Sequence, residues 1–191
     1  MERLIWMLAA ATLALAAVAC GGDDDDGPGD DGGANGDDGG SASLDVASDD
    51  FDDGGEIAVE FTCDGRGLSP HLGWDGEPGD TESFAILMDD LDADFVHWTV
   101  YNIDADSSGV ETIGQQEVLF GGPTTQGMNS FGEIGYGGPC PPEGESHTYR
   151  FRVFALDTMV DLEPGASADE LETAMEGRVL AEGETTGVYS R

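Results

Sequence analysis

Residues 83–103 read SFAILMDDLDADFVHWTVYNI, and this stretch decides the expected fold. It contains two runs of apolar, β-branched and aromatic residues, Ser83–Met88 and Phe95–Ile103, on either side of an acidic segment. Short runs of this composition are typical of strands. Ile57–Thr62 and Tyr149–Leu156 have the same character, and clusters of Gly, Pro and Asp separate the runs. Because no helical pattern of ten residues lies between consecutive strands, the sequence predicts a mainly β, mainly antiparallel architecture.

One helix is predicted near the C-terminus. Ser167, with Glu170 three residues later, forms the pattern of a capping box, which marks the start of a helix. The apolar positions that follow are spaced by four residues, at Leu171, Met175 and Val179. We expect this apolar stripe to pack on the sheet and Thr186–Tyr189 to form a short last strand.

A glycine-rich segment precedes the strand at Tyr149. Residues 121–146 contain eight glycines and show no hydrophobic periodicity. Loops of this length inside compact domains are usually functional or disordered. Because Phe131, Tyr136 and several prolines lie within it, we expect an ordered loop packed beside a site.

The N-terminus resembles an export signal. Residues 1–19 contain one arginine followed by a continuous apolar run that is short for a membrane span, and small residues precede Cys20. This arrangement resembles a bacterial lipoprotein signal, in which Cys20 becomes the lipidated N-terminus. The alternative is an ordinary secretory signal in which Cys20 stands by chance. Either interpretation predicts an exported protein, and the first predicts one that is anchored to a membrane.

Residues 20–47 are expected to be a disordered acidic tether, and residues 48–191 the folded domain. The first part of the tether is almost entirely Gly, Asp, Ser, Ala and Pro, so it can bury little apolar surface. Repulsion between its carboxylates favours an extended spacer that holds the domain away from a lipid anchor. Calcium chelation by the Asp run is the alternative, but no turn pattern gathers its ligands.

The charge balance excludes one class of partner. The chain has 41 acidic and six basic residues, all arginine, and a net charge of −35. Residues 41–191 still hold 32 acidic and five basic side chains, a net charge of −27. This rules out the basic surface that nucleic acids require, and anionic membrane surfaces would repel the domain. The acidity and the absence of lysine indicate a halophilic type of composition, in which salt screens self-repulsion.

The sequence offers two candidate metal sites. The alternating acids Asp90, Asp92 and Asp94 resemble the start of a calcium loop, but Phe95 and Tyr101 stand where that loop needs glycine and glutamate. A zinc site from two histidines and one aspartate remains open, although no close histidine spacing supports it. We predict no metal and no cofactor.

Nucleophilic catalysis finds weak support in the sequence. Ser69, Ser130 and Ser146 are candidates, but none lies in a Gly-x-Ser-x-Gly motif. Cys63 and Cys140 are the two thiols left if Cys20 is lipidated, and an even pair in an exported protein is a candidate disulfide. A bridge closing so long a loop would stabilise the domain by about 4 kcal/mol in the chain-entropy model.

Several motifs together resemble the prokaryotic branch of the phosphatidylethanolamine-binding protein family, also called Raf kinase inhibitor-like proteins. The resemblance covers roughly residues 48–191, in the family's order and spacing. The motifs that carry it are Phe61-Thr62-Cys63-Asp64-Gly65, Leu68-Ser69-Pro70-His71-Leu72-Gly73-Trp74, Asp90-Leu91-Asp92-Ala93-Asp94, Val96-His97-Trp98-Thr99-Val100-Tyr101-Asn102-Ile103, Gly135-Tyr136-Gly137-Gly138-Pro139-Cys140-Pro141-Pro142 and His147-Thr148-Tyr149.

The resemblance implies a Greek-key arrangement of a large antiparallel sheet against a smaller one, with peripheral helices and a small anion pocket. By position, it assigns ligand binding to Asp90, His97, His147 and Tyr149, with the backbone of Gly138 and Pro139 at the mouth of the pocket. Leu91 and Asp94 stand where the family's aspartate motif has prolines, and His71 stands where proline or glutamine is usual.

The sequence supports two hypotheses about function, one a binding protein and the other an enzyme. The leading one is a non-catalytic, lipid-anchored, extracytoplasmic binding or regulatory domain whose pocket takes a phosphate- or carboxylate-type anion or a phospholipid head group. His97 and His147 can be protonated and Tyr149 can donate, so the local chemistry suits an oxyanion. The alternative is a hydrolase in which His97 or His147 is the general base and Asp90 orients it. No particular protein partner follows from these residues.

Overall fold

The computed structural model describes residues 42–113 and 122–191. The predicted signal sequence, Cys20 and most of the predicted tether lie outside the described residues. The strands are β1 Ala42–Ser43, β2 Asp45–Ala47, β3 Gly55–Glu56, β4 Leu72–Asp75, β5 Ser83–Asp90, β6 Phe95–Asp104, β7 Gly109–Val110, β8 Thr125–Gln126, β9 Ser146–Leu156 and β10 Val179–Ser190. The helices are a 3-10 turn at Val59–Phe61 and the α-helix α1 at Ala168–Met175.

The strands form one large sheet and one small sheet. In the large sheet the order is β1-β10-β9-β5-β6-β8, with β3 also beside β10. The four long strands pair antiparallel, whereas β1 and β3 run parallel to β10. The small sheet has the order β2-β4-β7 and is antiparallel. The predicted mainly β architecture, with a larger and a smaller sheet, is confirmed.

Two apolar clusters lie on the two faces of the large sheet. The first contains side chains from both sheets, such as Trp74 of β4 against Phe84 of β5, with ring centroids 5.0 Å apart. The second lies under α1, where Leu171 and Met175 pack with Leu87 of β5. The residues of a strand alternate between faces, so β5 and β9 serve both clusters and are buried along most of their length. Within residues 42–113 and 122–191, no helix is long and apolar enough to cross a membrane.

The predicted helix start is correct, but its predicted stripe is too long. The capping box is present, because the Ser167 side chain accepts from the backbone of Glu170 and the Glu170 side chain accepts from the backbone of Ser167. The helix ends at Met175, and Val179 begins β10 instead of extending the stripe. Gly177 adopts a φ of +70°, the left-handed conformation that ends helices and that glycine tolerates.

The prediction of a strand over Ile57–Thr62 is wrong. In this segment the strand beside β10 is limited to β3, the backbone N–H of Ile57 donates to the carbonyl of Val188 at 2.8 Å, and the turn at Val59–Phe61 follows. Ile57 and Phe61 are buried, whereas Val59 is 54% exposed. Burial at positions four residues apart is the pattern of a helical turn, and in so short a run it resembles strand alternation.

Residues 42–47 belong to the folded domain, where they form β1 and β2. The prediction that the tether extends to residue 47 is therefore wrong. Leu44 and Val46 are buried in the cluster between the sheets. Gly183 of β10 makes room for this segment, because a Cβ there would lie 2.3 Å from the carbonyl oxygen of Leu44. The folded domain therefore begins within the predicted tether. Two apolar residues, Leu44 and Val46, and the absence of a Cβ at Gly183 allow this segment to pack on β10 as two short strands.

Candidate functional site

The register of three central strands assembles the candidate site. At the end of β5, Asp90 pairs with Phe95 of β6 on one side and with Tyr149 of β9 on the other. His97 and His147 each lie two residues from one of these partners, so each shares a face with it. His147 and Tyr149 are two residues apart on β9, a spacing that predicts a common face, and their rings stack with centroids 6.4 Å apart, which confirms that prediction. We call Asp90, His97, His147 and Tyr149 the histidine cluster.

His147 is bound to Asp90. Its Nδ1 lies 2.7 Å from Oδ2 of Asp90, and its Nε2 lies 3.3 Å from Oε2 of Glu145. The hydrogen bond to Asp90 raises the pKa of His147, and the bond to Glu145 adds to this, while burial opposes it. The pair therefore favours an imidazolium beside a carboxylate, whose opposite charges cancel within the cluster.

The acidic loop after β5 is fastened to the start of β9. The backbone N–H of Asp92 donates to Oδ1 of Asp90 at 2.9 Å, and the N–H of Thr148 donates to Oδ2 of Asp92 at 2.7 Å. The N–H of Leu91 donates to the carbonyl of Thr148 at 2.9 Å. Leu91 and Asp94 stand where the family motif has prolines and do not restrict the backbone as prolines do. In this chain, the three hydrogen bonds hold the loop instead.

His97 has the opposite environment. It is 3% exposed, and its Nδ1 lies 2.7 Å from the carbonyl oxygen of Gly137. Its ring meets those of Phe95, Phe131 and Tyr149 at centroid distances of 4.9, 5.5 and 5.1 Å. Burial lowers the pKa of His97, because the charged ring loses its hydration. The expectation that both histidines can be protonated therefore fits His147, whose pKa is raised, better than His97, whose pKa is lowered.

Tyr149 carries a buried hydroxyl without a well-formed hydrogen bond. The residue is fully buried, and its O–H proton has no acceptor in hydrogen-bonding geometry among the described residues. The backbone N–H of Cys140 interacts with Oη only outside full hydrogen-bonding geometry, and as a donor it leaves the O–H proton unpaired. Burial raises the pKa of Tyr149, the charge of Asp90 raises it further, and the nearby backbone N–H of Cys140 lowers it less. The phenol thus keeps its proton and offers a donor to a ligand.

The loop that carries Gly138 and Pro139 is ordered and close to the cluster, as predicted. Both residues are buried. A Cβ on Gly138 would lie 2.8 Å from the carbonyl carbon of Thr62, so only glycine fits this close approach. The carbonyl of Pro139 accepts from the backbone N–H of Cys63 at 3.1 Å.

A disulfide secures the same loop. The sequence left the pairing of Cys63 with Cys140 as a candidate, and in the structure the two sulfurs are bonded, with Cα atoms 5.4 Å apart. The hydroxyl of Tyr136, which is itself buried, donates to the carbonyl of Phe61 at 2.9 Å. The backbone that lines the candidate site is therefore fixed to the 3-10 turn by covalent and hydrogen bonds.

The candidate nucleophiles take part in other contacts. The Oγ atoms of Ser69 and Ser130 accept from the backbone N–H groups of Ile113 and Val96, and Oγ of Ser146 accepts from the hydroxyl of Ser190. None of the three is paired with a histidine in the described structure. No group of three or more His, Cys, Asp or Glu side chains in residues 42–113 and 122–191 is placed to hold a metal ion.

Sequence reasoning missed several members of the site. Gly137 acts through its carbonyl, which no side-chain pattern reveals. Glu145 lies two residues before His147 and was one acid among many. The sequence shows Phe131 only as an aromatic residue of the loop. Its contact with His97 depends on Gly137, where a Cβ would lie 2.6 Å from the Phe131 ring. The contact of Phe95 with the same ring had a sequence signal, the two-residue spacing on β6.

The fold and the cluster define a β-sheet binding protein with a small buried polar site at the end of its central strands. Comparison with known proteins agrees with this class. The sequence profile of the family described as phosphatidylethanolamine-binding protein matches residues 47–190. The chain therefore belongs to the phosphatidylethanolamine-binding protein family.

Relatives and solved structures support the assignment. A UPF0098 protein of Methanothermobacter thermautotrophicus is 46% identical over 144 residues, which cover 74% of this chain and 95% of that protein. A UPF0098 protein of Aquifex aeolicus is 43% identical over 156 residues, covering 78% and 90% of the two chains.

Two crystal structures are similar to the whole described domain. The structure of E. coli YbcL, described as a member of the mammalian family, has a TM-score of 0.72 and 32% identity, covering 78% of this chain and 99% of YbcL. The structure of CT736 from Chlamydia trachomatis, described as a homolog of the family, has a TM-score of 0.70 and 32% identity, covering 79% and 99%.

Proposed function

We propose that the protein is a lipid-anchored, extracytoplasmic binding or regulatory domain whose histidine cluster binds a small phosphate- or carboxylate-type anion without catalysis. The observation that carries this proposal is the Tyr149 hydroxyl, a buried donor without a well-formed partner. Leaving such a group unpaired costs about 1–3 kcal/mol, so a ligand that accepts its hydrogen bond recovers that free energy on binding. Membership of the family is consistent with a binding protein.

The charges around the cluster allow an anion to approach. Asp90 is offset by the imidazolium of His147 at 2.7 Å. The second contact of His147, with Glu145, involves a carboxylate side chain that is 59% exposed. Ion pairs with exposed partners contribute little, so an incoming oxyanion can displace Glu145 from Nε2 at small cost. The ligand then meets two donors, the Nε2 proton of His147 and the hydroxyl of Tyr149.

The charge of the whole domain works against this local attraction. A net charge of −27 on residues 41–191 repels an anion at low ionic strength. In about 1 M salt the Debye length falls to about 3 Å, and only the contacting groups then act on the ligand. Anion binding is therefore expected to be stronger in high salt than in low salt, which suits a halophilic setting.

NMR titration of the imidazole resonances tests the proposal. In about 1 M KCl, inorganic phosphate and acetate should each be added to the protein, with His71 as an internal control. His71 lies before β4 of the small sheet, where its ring nitrogen is 3.7 Å from Asp49. His97 and His147 should shift and His71 should not, and Tyr149→Phe should weaken binding at least about tenfold. Unchanged His97 and His147 resonances at every salt concentration would overturn the proposal.

A hydrolase is the second candidate, and one observation favours it. The 2.7 Å contact between Asp90 and Nδ1 of His147 is the geometry by which a carboxylate orients a general base. The base would act through Nε2 on water. Turnover of a phosphate or carboxylate ester that is lost in His147→Ala would support this candidate, and absence of turnover across such esters would remove it.

The lipid anchor has its own test. A radiolabelled fatty acid supplied to cells that produce the protein should label it, because the segment before Cys20 resembles a lipoprotein signal. Cys20→Ser should abolish the label. A wild-type protein that is exported without label would instead indicate the ordinary secretory signal.

A further inference from the structure

His97 presents a lone pair to the candidate site. Its Nδ1 lies 2.7 Å from the carbonyl oxygen of Gly137, and a carbonyl can only accept a hydrogen bond. Nδ1 therefore carries the proton of the neutral ring, which leaves Nε2 as an acceptor. Among the described residues, no group lies in hydrogen-bonding geometry with this Nε2, and the carbonyl of Gly138, which also interacts with the ring, lies outside that geometry.

The surroundings of His97 keep the ring neutral. Burial lowers its pKa, whereas the carbonyl of Gly137, the charge of Asp90 and the carbonyl of Gly138 favour the charged form by smaller amounts. The charge of His147 opposes a second imidazolium nearby. The aromatic rings that contact His97 on its other sides offer no full charge. Near neutral pH, Nε2 is thus an acceptor on a ring that is 3% exposed.

Tyr149 supplies the complementary group. Its ring meets that of His97 edge-on at 5.1 Å, and its hydroxyl is a donor without a well-formed partner. A ligand that satisfies both residues must accept one hydrogen bond and donate another. Hydrogen phosphate and the monoanion of a phosphate monoester have both an ionised oxygen and an O–H. Sulfate and phosphodiesters have only acceptors.

We propose that His97 is a specificity-determining residue that selects oxyanions bearing an O–H, of the hydrogen phosphate type, over fully ionised oxyanions of the same size. This inference rests on the proposed anion-binding function. An ionised oxygen placed against the Nε2 lone pair leaves both atoms unpaired and repelling each other, whereas a ligand O–H donates to Nε2. The chemistry is shared by free phosphate and by a monoester head group, whereas the diester of an ordinary phospholipid lacks it.

Matched anions separate this inference from the function on which it rests. At about pH 8, inorganic phosphate is mostly a dianion that retains one O–H, and sulfate is a dianion of similar shape without one. Calorimetric titration of the full chain in KCl should show phosphate binding at least about tenfold more tightly than sulfate. Equal affinities would overturn the role of His97 and leave anion binding intact. If neither anion binds, both proposals fail.

Two further ligands distinguish the sources of the phosphate. Dimethyl phosphate represents a phospholipid diester and should bind at least about tenfold more weakly than inorganic phosphate. Methyl phosphate represents a monoester and should bind at about pH 5.5, where it keeps an O–H. Between about pH 5.5 and pH 8 it should lose at least about tenfold more affinity than inorganic phosphate, which keeps an O–H throughout and reports the part of the loss that is due to deprotonation of His147. Binding of inorganic phosphate without methyl phosphate at the lower pH would identify free phosphate as the source. Dimethyl phosphate binding as tightly as inorganic phosphate would overturn the inference.

Two further measurements test His97 itself. The ¹⁵N shifts of the wild-type imidazoles should show His97 as the neutral tautomer protonated at Nδ1, and an Nε2-protonated or cationic His97 at neutral pH would overturn the inference. In His97→Gln, the side-chain amide can either accept or donate, so the preference for phosphate over sulfate should shrink to within about threefold. A preference unchanged in a folded His97→Gln protein would contradict the assigned role.

Discussion

Removing the disulfide between Cys63 and Cys140 is expected to destabilise the domain by several kcal/mol. The two cysteines are 77 residues apart, so the bridge closes a long loop. The chain-entropy relation gives a stabilisation of about 4.5 kcal/mol for a loop of this length, because the cross-link restricts the unfolded chain. Losses measured for small exported domains span about 2–5 kcal/mol, which brackets this value.

Urea unfolding measures this loss directly. The double variant Cys63→Ser/Cys140→Ser and the oxidised wild type should be unfolded in the same concentration of KCl and followed by the fluorescence of Trp74 and Trp98, which are both buried. If the free energy of unfolding falls by about 2 kcal/mol per molar urea, a loss of about 4.5 kcal/mol moves the midpoint of the variant about 2 M below that of the wild type, and the range of about 2–5 kcal/mol corresponds to about 1–2.5 M.

The reduced wild type is the matched control. Treated with a thiol reductant, it should unfold at the midpoint of the double variant, because both proteins lack the bridge and little else. A double variant whose midpoint stays within about 0.3 M of the oxidised wild type would refute the reasoning. It would show that the unfolded chain gains little freedom when the loop is opened.

Three further predictions concern charge, protonation and packing. The melting temperature should rise with KCl concentration, because salt screens the −27 charge of residues 41–191; a melting temperature independent of salt would contradict this. The raised pKa of His147 should contribute stability that is complete below the ordinary value of 6.5 and is lost as pH rises through the raised value. His147→Gln should remove that dependence from the free energy of unfolding measured between these limits. Gly138→Ala should cost about 1–3 kcal/mol, because its Cβ would lie 2.8 Å from the carbonyl carbon of Thr62. The control Gly79→Ala, with nothing within 4 Å of the added Cβ, should stay within about 0.5 kcal/mol of the wild type, and equal losses in the two variants would exclude the close approach as the cause.

Local patterns predicted the elements whose own residues carry a strong signal. The sequence predicts β5, β6 and β9 from their apolar runs and the helix start from the capping box of Ser167, because strand alternation and helix capping depend on neighbouring residues. The two-residue spacing likewise placed His147 and Tyr149 on one face. The resemblance to the family extended this to Asp90 and His97, which no local pattern joins to them.

Local patterns failed where pairing with distant residues decides the structure. β10 is twelve residues long, although only its last part has a strand-like sequence, because it pairs along almost all of β9. Gly183 and Gly187 weaken the strand signal, yet both positions need a missing Cβ, since Leu44 and Ile57 approach them closely. Glycine indicates a turn when only the local sequence is considered, but in β10 it provides the space that a neighbouring segment needs. The sequence alone does not distinguish these two uses of glycine.

The sequence by itself determined the fold class, the acidic charge, the helix start and the identity of the candidate site residues. Only the tertiary structure decided how those residues differ chemically. His147 meets Asp90, 57 residues away, which favours its charge, whereas the burial of His97 against Gly137, 40 residues away, favours the neutral ring. A protonation state depends on hydration and on nearby charges, and in a folded chain both are set by residues that are distant in sequence.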